Sequence, residues 1–125
     1  MAKIVVIDDS KLMRNMLRLI LEQAGYDVEV WEEVTAAEIP DRISGGNPDL
    51  VITDYQMPGS NGLTVARMAR KTKPGLPVIV VTASRDPSVL DALKRVDVTH
   101  ILHNPIQAED LLQAVRQWLQ GPSKD

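Results

Sequence analysis

An open α/β sheet of five parallel strands, wound with helices on both faces, is the fold this sequence predicts. Three observations predict it. Short apolar runs alternate five times with longer segments whose apolar residues recur at helical spacing, a (βα)5 pattern. The run Leu50-Val51-Ile52 is continuous and apolar, as a strand covered on both faces must be. The length of 125 residues suits five such units in one domain, whereas an eight-unit barrel needs about twice as many. Strand-helix-strand crossovers are right-handed and put helices on both faces of the sheet. The common order for five units is 2-1-3-4-5, which sets the first and third strands side by side.

Each element follows from local chemistry. Residues 3–7 form the first strand around Ile4-Val5-Val6-Ile7, ending at Asp8-Asp9-Ser10. A helix over about 11–24 carries Leu12, Met13, Met16, Leu17, Ile20, Leu21 and Ala24 at helical spacing, and Gly25 supplies a stop because it tolerates positive φ. Residues 27–31 form the second strand, with Val28 and Val30 on one face. A helix is expected within 32–44, but Pro40 lacks a backbone donor and costs roughly 3 kcal/mol in a helix interior. The helix is therefore kinked, broken near Ile39 or late in starting, and two short pieces are the favoured reading. A turn at Gly45-Gly46-Asn47-Pro48 precedes the third strand, which ends on Asp54. Met57-Pro58-Gly59 cannot continue it. The third helix covers 61–71, the fourth strand 78–81 and the fourth helix 87–95, with Pro87 suited to a first turn. The fifth strand is placed at 98–102 and the last helix at 107–119, with Leu111, Leu112, Val115 and Leu119 inward. The domain spans 1–121, and 122–125 is a frayed tail or the start of a linker.

Composition excludes several functions. There is no cysteine, hence no disulfide, thiolate metal site or cysteine nucleophile. His100 and His103 alone cannot make a zinc site. No secretory signal is present and no apolar run approaches the ~20 residues of a membrane span, so a cytoplasmic setting without membrane association is expected. The net charge of −3 argues against direct nucleic-acid binding by this domain while leaving room for a local basic patch. Trp118 reads as a core-edge side chain, and Lys11, Arg14 and Arg85 read as solvated cations, the alternatives being that Lys11 and Arg14 tune the acidic strand end or steer an acidic partner and that Arg85 reaches the rim beside Thr82.

Open parallel sheets place their chemistry at the carboxyl ends of strands. Asp8 and Asp9 end the first strand, Asp54 the third and Thr82 the fourth. One aspartate there would serve as a helix cap, but a doublet facing a third carboxylate calls for a hard cation, and magnesium suits oxygen ligands. An aspartate can attack phosphorus to give an acyl phosphate, with the cation offsetting charge on the phosphoryl oxygens and the Thr82 hydroxyl donating to the same group. No Gly-rich nucleotide loop follows the first strand, and no Gly-x-Ser-x-Gly elbow occurs.

Asp8-Asp9, Asp54-x-x-Met57-Pro58-x-x-x-Gly62, Thr82-Ala83 and a proline-closed strand end at Asn104-Pro105 together give the chain its resemblance to the CheY-like response-regulator receiver domains of two-component signalling, along about residues 3–120. The resemblance implies a flavodoxin-like receiver fold and a signalling module rather than an enzyme. It implies Asp54 as phosphoacceptor, Asp9 as a direct magnesium ligand, Asp8 as a ligand largely through water, the Gln56 backbone carbonyl as a further ligand, and Thr82 as the switch hydroxyl. The partner implied is a histidine kinase or phosphotransfer protein. A homodimer or downstream protein would use the face made by the fourth helix, fifth strand and fifth helix.

The sequence departs from this family pattern in places. Asn104 stands where the family has a lysine that pairs with phosphoryl oxygens; asparagine donates a hydrogen bond but carries no charge. Ile101 replaces the usual Tyr or Phe and is stiff at χ1. Asp97-Val98 stands for Gly-Ala, Val34 for a common glycine, and Pro40 interrupts the second helical segment. The departures fall mainly on the output half, so the expectation is a phosphoacceptor with an atypical output switch. The alternative is a degenerate receiver that binds proteins without phosphorylation. A flavin- or nucleotide-binding flavodoxin-like protein shares the fold, but Asp8, Asp9 and Asp54 would repel an anionic ligand.

Overall fold

The computed structural model describes residues 2–57, 60–96 and 98–120. Its strands are β1 (Lys3–Ile7), β2 (Asp27–Trp31), β3 (Leu50–Asp54), β4 (Gln56–Met57), β5 (Ser60–Asn61), β6 (Val78–Thr82) and β7 (His100–His103). Its helices are α1 (Lys11–Gln23), α2 (Ile39–Gly46), α3 (Gly62–Thr72), α4 (Pro87–Arg95) and α5 (Ala108–Gln120). The main sheet has the order β2-β1-β3-β6-β7, all parallel. With the β4–β5 pair set aside, this is the expected 2-1-3-4-5. The segment 122–125 lies outside the described residues.

Alternation along the strands divides the interior into two layers, because successive side chains point to opposite faces. Val5, Ile7, Val51, Val78 and Val80 face Ile39 and Ile43 of α2, Val65, Ala66 and Ala69 of α3, and Leu93 of α4. Ile4, Val6, Leu50, Ile52, Ile79 and Val81 face Leu17 and Leu21 of α1 and Leu111, Ala114 and Val115 of α5. The middle strands β1, β3 and β6 are thus covered on both sides, which explains their unbroken apolar runs.

Helix starts are fixed by caps. The Ser10 hydroxyl accepts from the Met13 N–H of α1, Asn61 Oδ1 from Thr64 N–H of α3, and Asp86 Oδ1 from Ser88 N–H of α4. Each capping oxygen satisfies a backbone donor that the first turn would leave unpaired. Gly25, at φ 97°, turns the chain after α1.

Four boundaries differ from the sequence reading. The two short pieces around Pro40 are one helix that starts late: Pro40 sits in the first turn of α2, where a missing N–H costs nothing. The preceding turn is held by the Thr35 N–H and hydroxyl donating to Glu38 Oε1. α2 also runs through Gly45 and Gly46, closing on Asn47 in the left-handed region at φ 47°. β7 begins at His100 rather than Val98, because the Val98 N–H bonds the Leu93 carbonyl at the end of α4. Gln56 pairs with Asn61 and Met57 with Ser60, so part of the expected loop is a minimal antiparallel ladder; Pro58, Gly59 and Asp97 lie outside the described residues.

Ile52, fully buried between α1 and α5, tests the packing. Ile52→Ala is expected to lower stability by about 2–5 kcal/mol, read by urea unfolding with an unchanged m-value. A loss below about 1 kcal/mol would contradict this account.

Candidate functional site

Parallel register assembles the site. Ile7 of β1 pairs with Thr53 of β3, and Asp54 with Val81 of β6. The residues just beyond these pairs, Asp8 and Thr82, therefore emerge beside Asp54 at the carboxyl edge. Asp8, Asp9 and Asp54 each offer a carboxylate oxygen, and these oxygens lie within 4.8 Å of one another. Of the four residues named from sequence as metal ligands, the three carboxylates Asp8, Asp9 and Asp54 are thus brought together; Gln56, the fourth, lies two residues beyond Asp54 in β4.

Three carboxylates at such spacing repel. Burial, joined by the neighbouring Asp8 charge, pushes Asp54 up to about 6. Burial also raises Asp8, and Asp9 adds to the effect, while the Ser10 N–H works against it through a 2.8 Å bond to Asp8 Oδ1. Arg14 is not the freely solvated cation expected. It is half-buried, its Nη1 donates to the Asp8 backbone carbonyl at 2.8 Å, and its charge lowers Asp8. An arginine one turn into a helix that starts beside an acidic strand end was the available signal. Lys11 is exposed.

Asp54, Gln56, Thr82, Ala83, Ser84 and Asn104 line a cleft of about 280 Å³. Thr82 is buried, and its hydroxyl oxygen accepts from the Ser84 N–H at 3.0 Å. The Asn104 N–H donates to the Thr82 carbonyl at 3.0 Å, so the residue that follows β7 is tied to the end of β6 by backbone. His103 and Arg85 lie instead along a separate cleft of about 430 Å³ between β7 and α5. Ile101 is half-buried, lines that same cleft and packs against the core layer of α3 and α4. Trp118, at 37% exposure, stands more open than a core-edge side chain.

Gly62 closes the site from the other side. Its N–H donates to the Tyr55 carbonyl at 2.7 Å. A Cβ at this position would lie 3.0 Å from Tyr55 Cα, 3.1 Å from the Asp54 carbonyl oxygen and 3.2 Å from Val80 Cγ1. The last glycine of the Asp54–Gly62 motif is therefore required by close approach of α3 to the backbone that carries Asp54.

The donor set fits a hard divalent cation: three carboxylates at one strand edge, with charge that burial leaves uncompensated. A family model described as the response regulator receiver domain matches residues 4–116. The chain belongs to that family. Response regulator MprA of Mycobacterium sp. (strain KMS) is 35% identical over 123 residues, covering 98% of this chain and 53% of that protein. The chain spans about half the length of the curated relatives it matches. A CheY-like receiver domain protein from Methanospirillum hungatei JF-1 superposes with a TM-score of 0.87 at 25% identity, covering 96% of this chain and 94% of that one. Chemotaxis protein CheY4 of Vibrio cholerae gives 0.84 at 29% identity, covering 95% and 99%. Receiver domains are phosphoacceptor signalling modules rather than enzymes, and the acidic cluster is consistent with that chemistry. No helix among the described residues is long and apolar enough to cross a membrane.

Two outcomes test this geometry. Gly62→Ala is expected to cost about 1–3 kcal/mol through overpacking and to move the amide resonances of Asp54, Tyr55 and Gln56; an unperturbed spectrum would count against the contact. Asp54 titrates near its ordinary 3.8 when unfolded and near 6 when folded. Between those values the folded chain binds more protons, so stability falls as pH rises through the window. Asp54→Asn should therefore raise Tm at pH 7, with the gain fading as pH drops below 6 and vanishing below about 4. Thermal melts across pH check this, and a variant no more stable than the parent at pH 7 would refute it.

Proposed function

We infer that the chain accepts a phosphoryl group on Asp54 from a histidine kinase or phosphotransfer protein, in a magnesium-dependent reaction, and reads it out through an atypical switch. The observation that carries this reading is the meeting of Asp8, Asp9 and Asp54 oxygens within 4.8 Å, beside a cleft that Thr82 and Asn104 also line.

The Asp54 carboxylate is the nucleophile. With its pKa near 6, the ionised form predominates at neutral pH. One of its oxygens bonds to phosphorus as the bond from phosphorus to the donor nitrogen or acyl oxygen breaks. Asp8, Asp9, Asp54 and the Gln56 backbone carbonyl would hold the magnesium ion, which when bound offsets charge on the carboxylates and on the phosphoryl oxygens. Thr82 supplies a hydroxyl donor, since its oxygen accepts from the Ser84 N–H and leaves the O–H proton to be given. Asn104 offers a neutral amide where a cation would complete the neutralisation, so phosphorylation is slowed or its coupling to the switch weakened. Ile101 gives the switch no large ring to swing inward. Output to a homodimer or downstream protein runs through the face of α4, β7 and α5, where β7 is an edge strand. A cytoplasmic setting accords with this chemistry.

Asn104 is also the observation that favours a second reading: a receiver that binds its partner without phosphorylation. Incubation with magnesium and acetyl phosphate, followed by intact mass measurement, separates the two. A gain of about 80 Da, lost in Asp54→Ala and without magnesium, is the expected result, with faster labelling in Asn104→Lys. A folded chain that neither the small donor nor Asn104→Lys allows to be labelled would favour the second reading.

A further inference from the structure

Charge is distributed unevenly along this chain. Between Tyr55 and Arg85 there is no Asp or Glu, while Arg67, Arg70, Lys71, Lys73 and Arg85 occur. The acidic site lies at the carboxyl edge of the sheet; these cations gather mainly at the opposite edge. There the C-terminal ends of α3 and α4 flank an open cleft of about 450 Å³, lined by Arg67, Arg70, Lys71 and Arg95 over a floor of Pro74, Gly75 and Val96.

Helix dipoles account for part of this pattern, since cations stabilise a last turn, and Arg70, Lys71 and Arg95 occupy last turns. They do not account for Arg67, one turn earlier. Arg67 stands three and four residues from Arg70 and Lys71 on α3, and like charges at that spacing destabilise a helix by roughly 0.2–0.5 kcal/mol per pair. Local sequence choices that cost stability concentrate at functional surfaces. The cations are also unneutralised: the ion pairs among the described residues are Lys3–Glu29 and Arg18–Glu22. Asp91 precedes Arg95 by one turn of α4 without pairing to it.

One guanidinium is held in place. Arg70 is half-buried, and its Nη1 reaches the Leu76 carbonyl at 3.3 Å and Thr99 Oγ1 at 3.4 Å, the loops that lead into β6 and β7. Among the described residues Nε and Nη2 have no hydrogen-bond partner, and Arg70 lines the cleft, so donors remain for a ligand. Arg67, Lys71 and Arg95 around it are exposed. Planar arginine forks match phosphate oxygens bidentately. The concave, small-molecule-sized cleft suits a compact polyanion better than an extended one.

We propose that this basic cleft between the ends of α3 and α4 binds a small polyphosphate, either inorganic or carried by a nucleotide. The site is separate from the acidic edge and does not depend on phosphoryl chemistry at Asp54.

Titration of the chain with sodium tripolyphosphate in EDTA at fixed ionic strength, followed by amide NMR, tests the proposal. Saturable shifts are expected at Arg67, Arg70, Lys71, Gly75 and Arg95. The double variant Arg67→Gln/Arg95→Gln should weaken binding about tenfold or more, the loss expected for one charge-assisted contact. Asp54→Asn and the remote Arg18→Gln should leave it unchanged. A parallel titration with ATP distinguishes the sources: tighter binding than tripolyphosphate means the nucleoside is read, and equal binding means phosphate alone. Should the double variant fail to fold, Lys71→Gln, a single change at an exposed position, takes its place. Absent or non-saturating shifts, equal affinity in the variants, or binding of duplex DNA without tripolyphosphate would overturn the proposal.

Discussion

Repulsion among three carboxylates at one strand edge is the constraint around which this molecule is arranged. Parallel pairing of β1 with β3 brings Asp8 beside Asp54, and burial denies both the water that would screen them. The remaining local structure holds this unfavourable group in place. Ser10 caps α1 and directs its own N–H at Asp8. Arg14 returns from α1 to the same strand end. Gly62 lets α3 close against the far side. The apolar layers behind the site supply the stability that this arrangement removes.

Much of this was legible in the sequence. The (βα)5 pattern followed from apolar runs, and the convergence of Asp8, Asp9, Asp54 and Thr82 from which residues end them once the strands take the common order of five-unit sheets. What was not legible depended on contacts between distant segments. Pro40 signals a discontinuity, but whether it breaks a helix or begins one depends on the turn that Thr35 and Glu38 build before it. Val98 has strand character, yet its N–H closes α4 because Leu93 presents a carbonyl there. The pairing of Gln56 and Met57 with Asn61 and Ser60 across Pro58-Gly59 carries no period long enough to read. Arg14 looked like one more charge on a wet helix face until its reach to the Asp8 carbonyl was visible.

In the proposed mechanism, Asn104 separates two tasks that a single lysine would combine. Its backbone N–H holds the end of β7 to Thr82, a link that any residue but proline can make. Asn104 lines the cleft and carries no charge. On that reading the mechanical connection between β6 and β7 is kept while the electrostatic one is reduced. Ile101, three positions earlier, is half-buried against the neighbouring core layer and stiff at χ1.

The all-parallel sheet has a kinetic consequence. Every strand pair in it is formed by segments separated by at least a helix, and among the described residues the local pairing of β4 with β5 is two residues long. Loop closure must precede any reward from sheet formation, which places such a topology toward the slower side of two-state folders. The acidic cluster has no local precursor, since β1 and β3 meet only across α1, β2 and α2. An unfinished chain emerging from a ribosome carries Asp8 as an ordinary solvated carboxylate. It acquires its raised pKa in the same event that joins the first strand to the third.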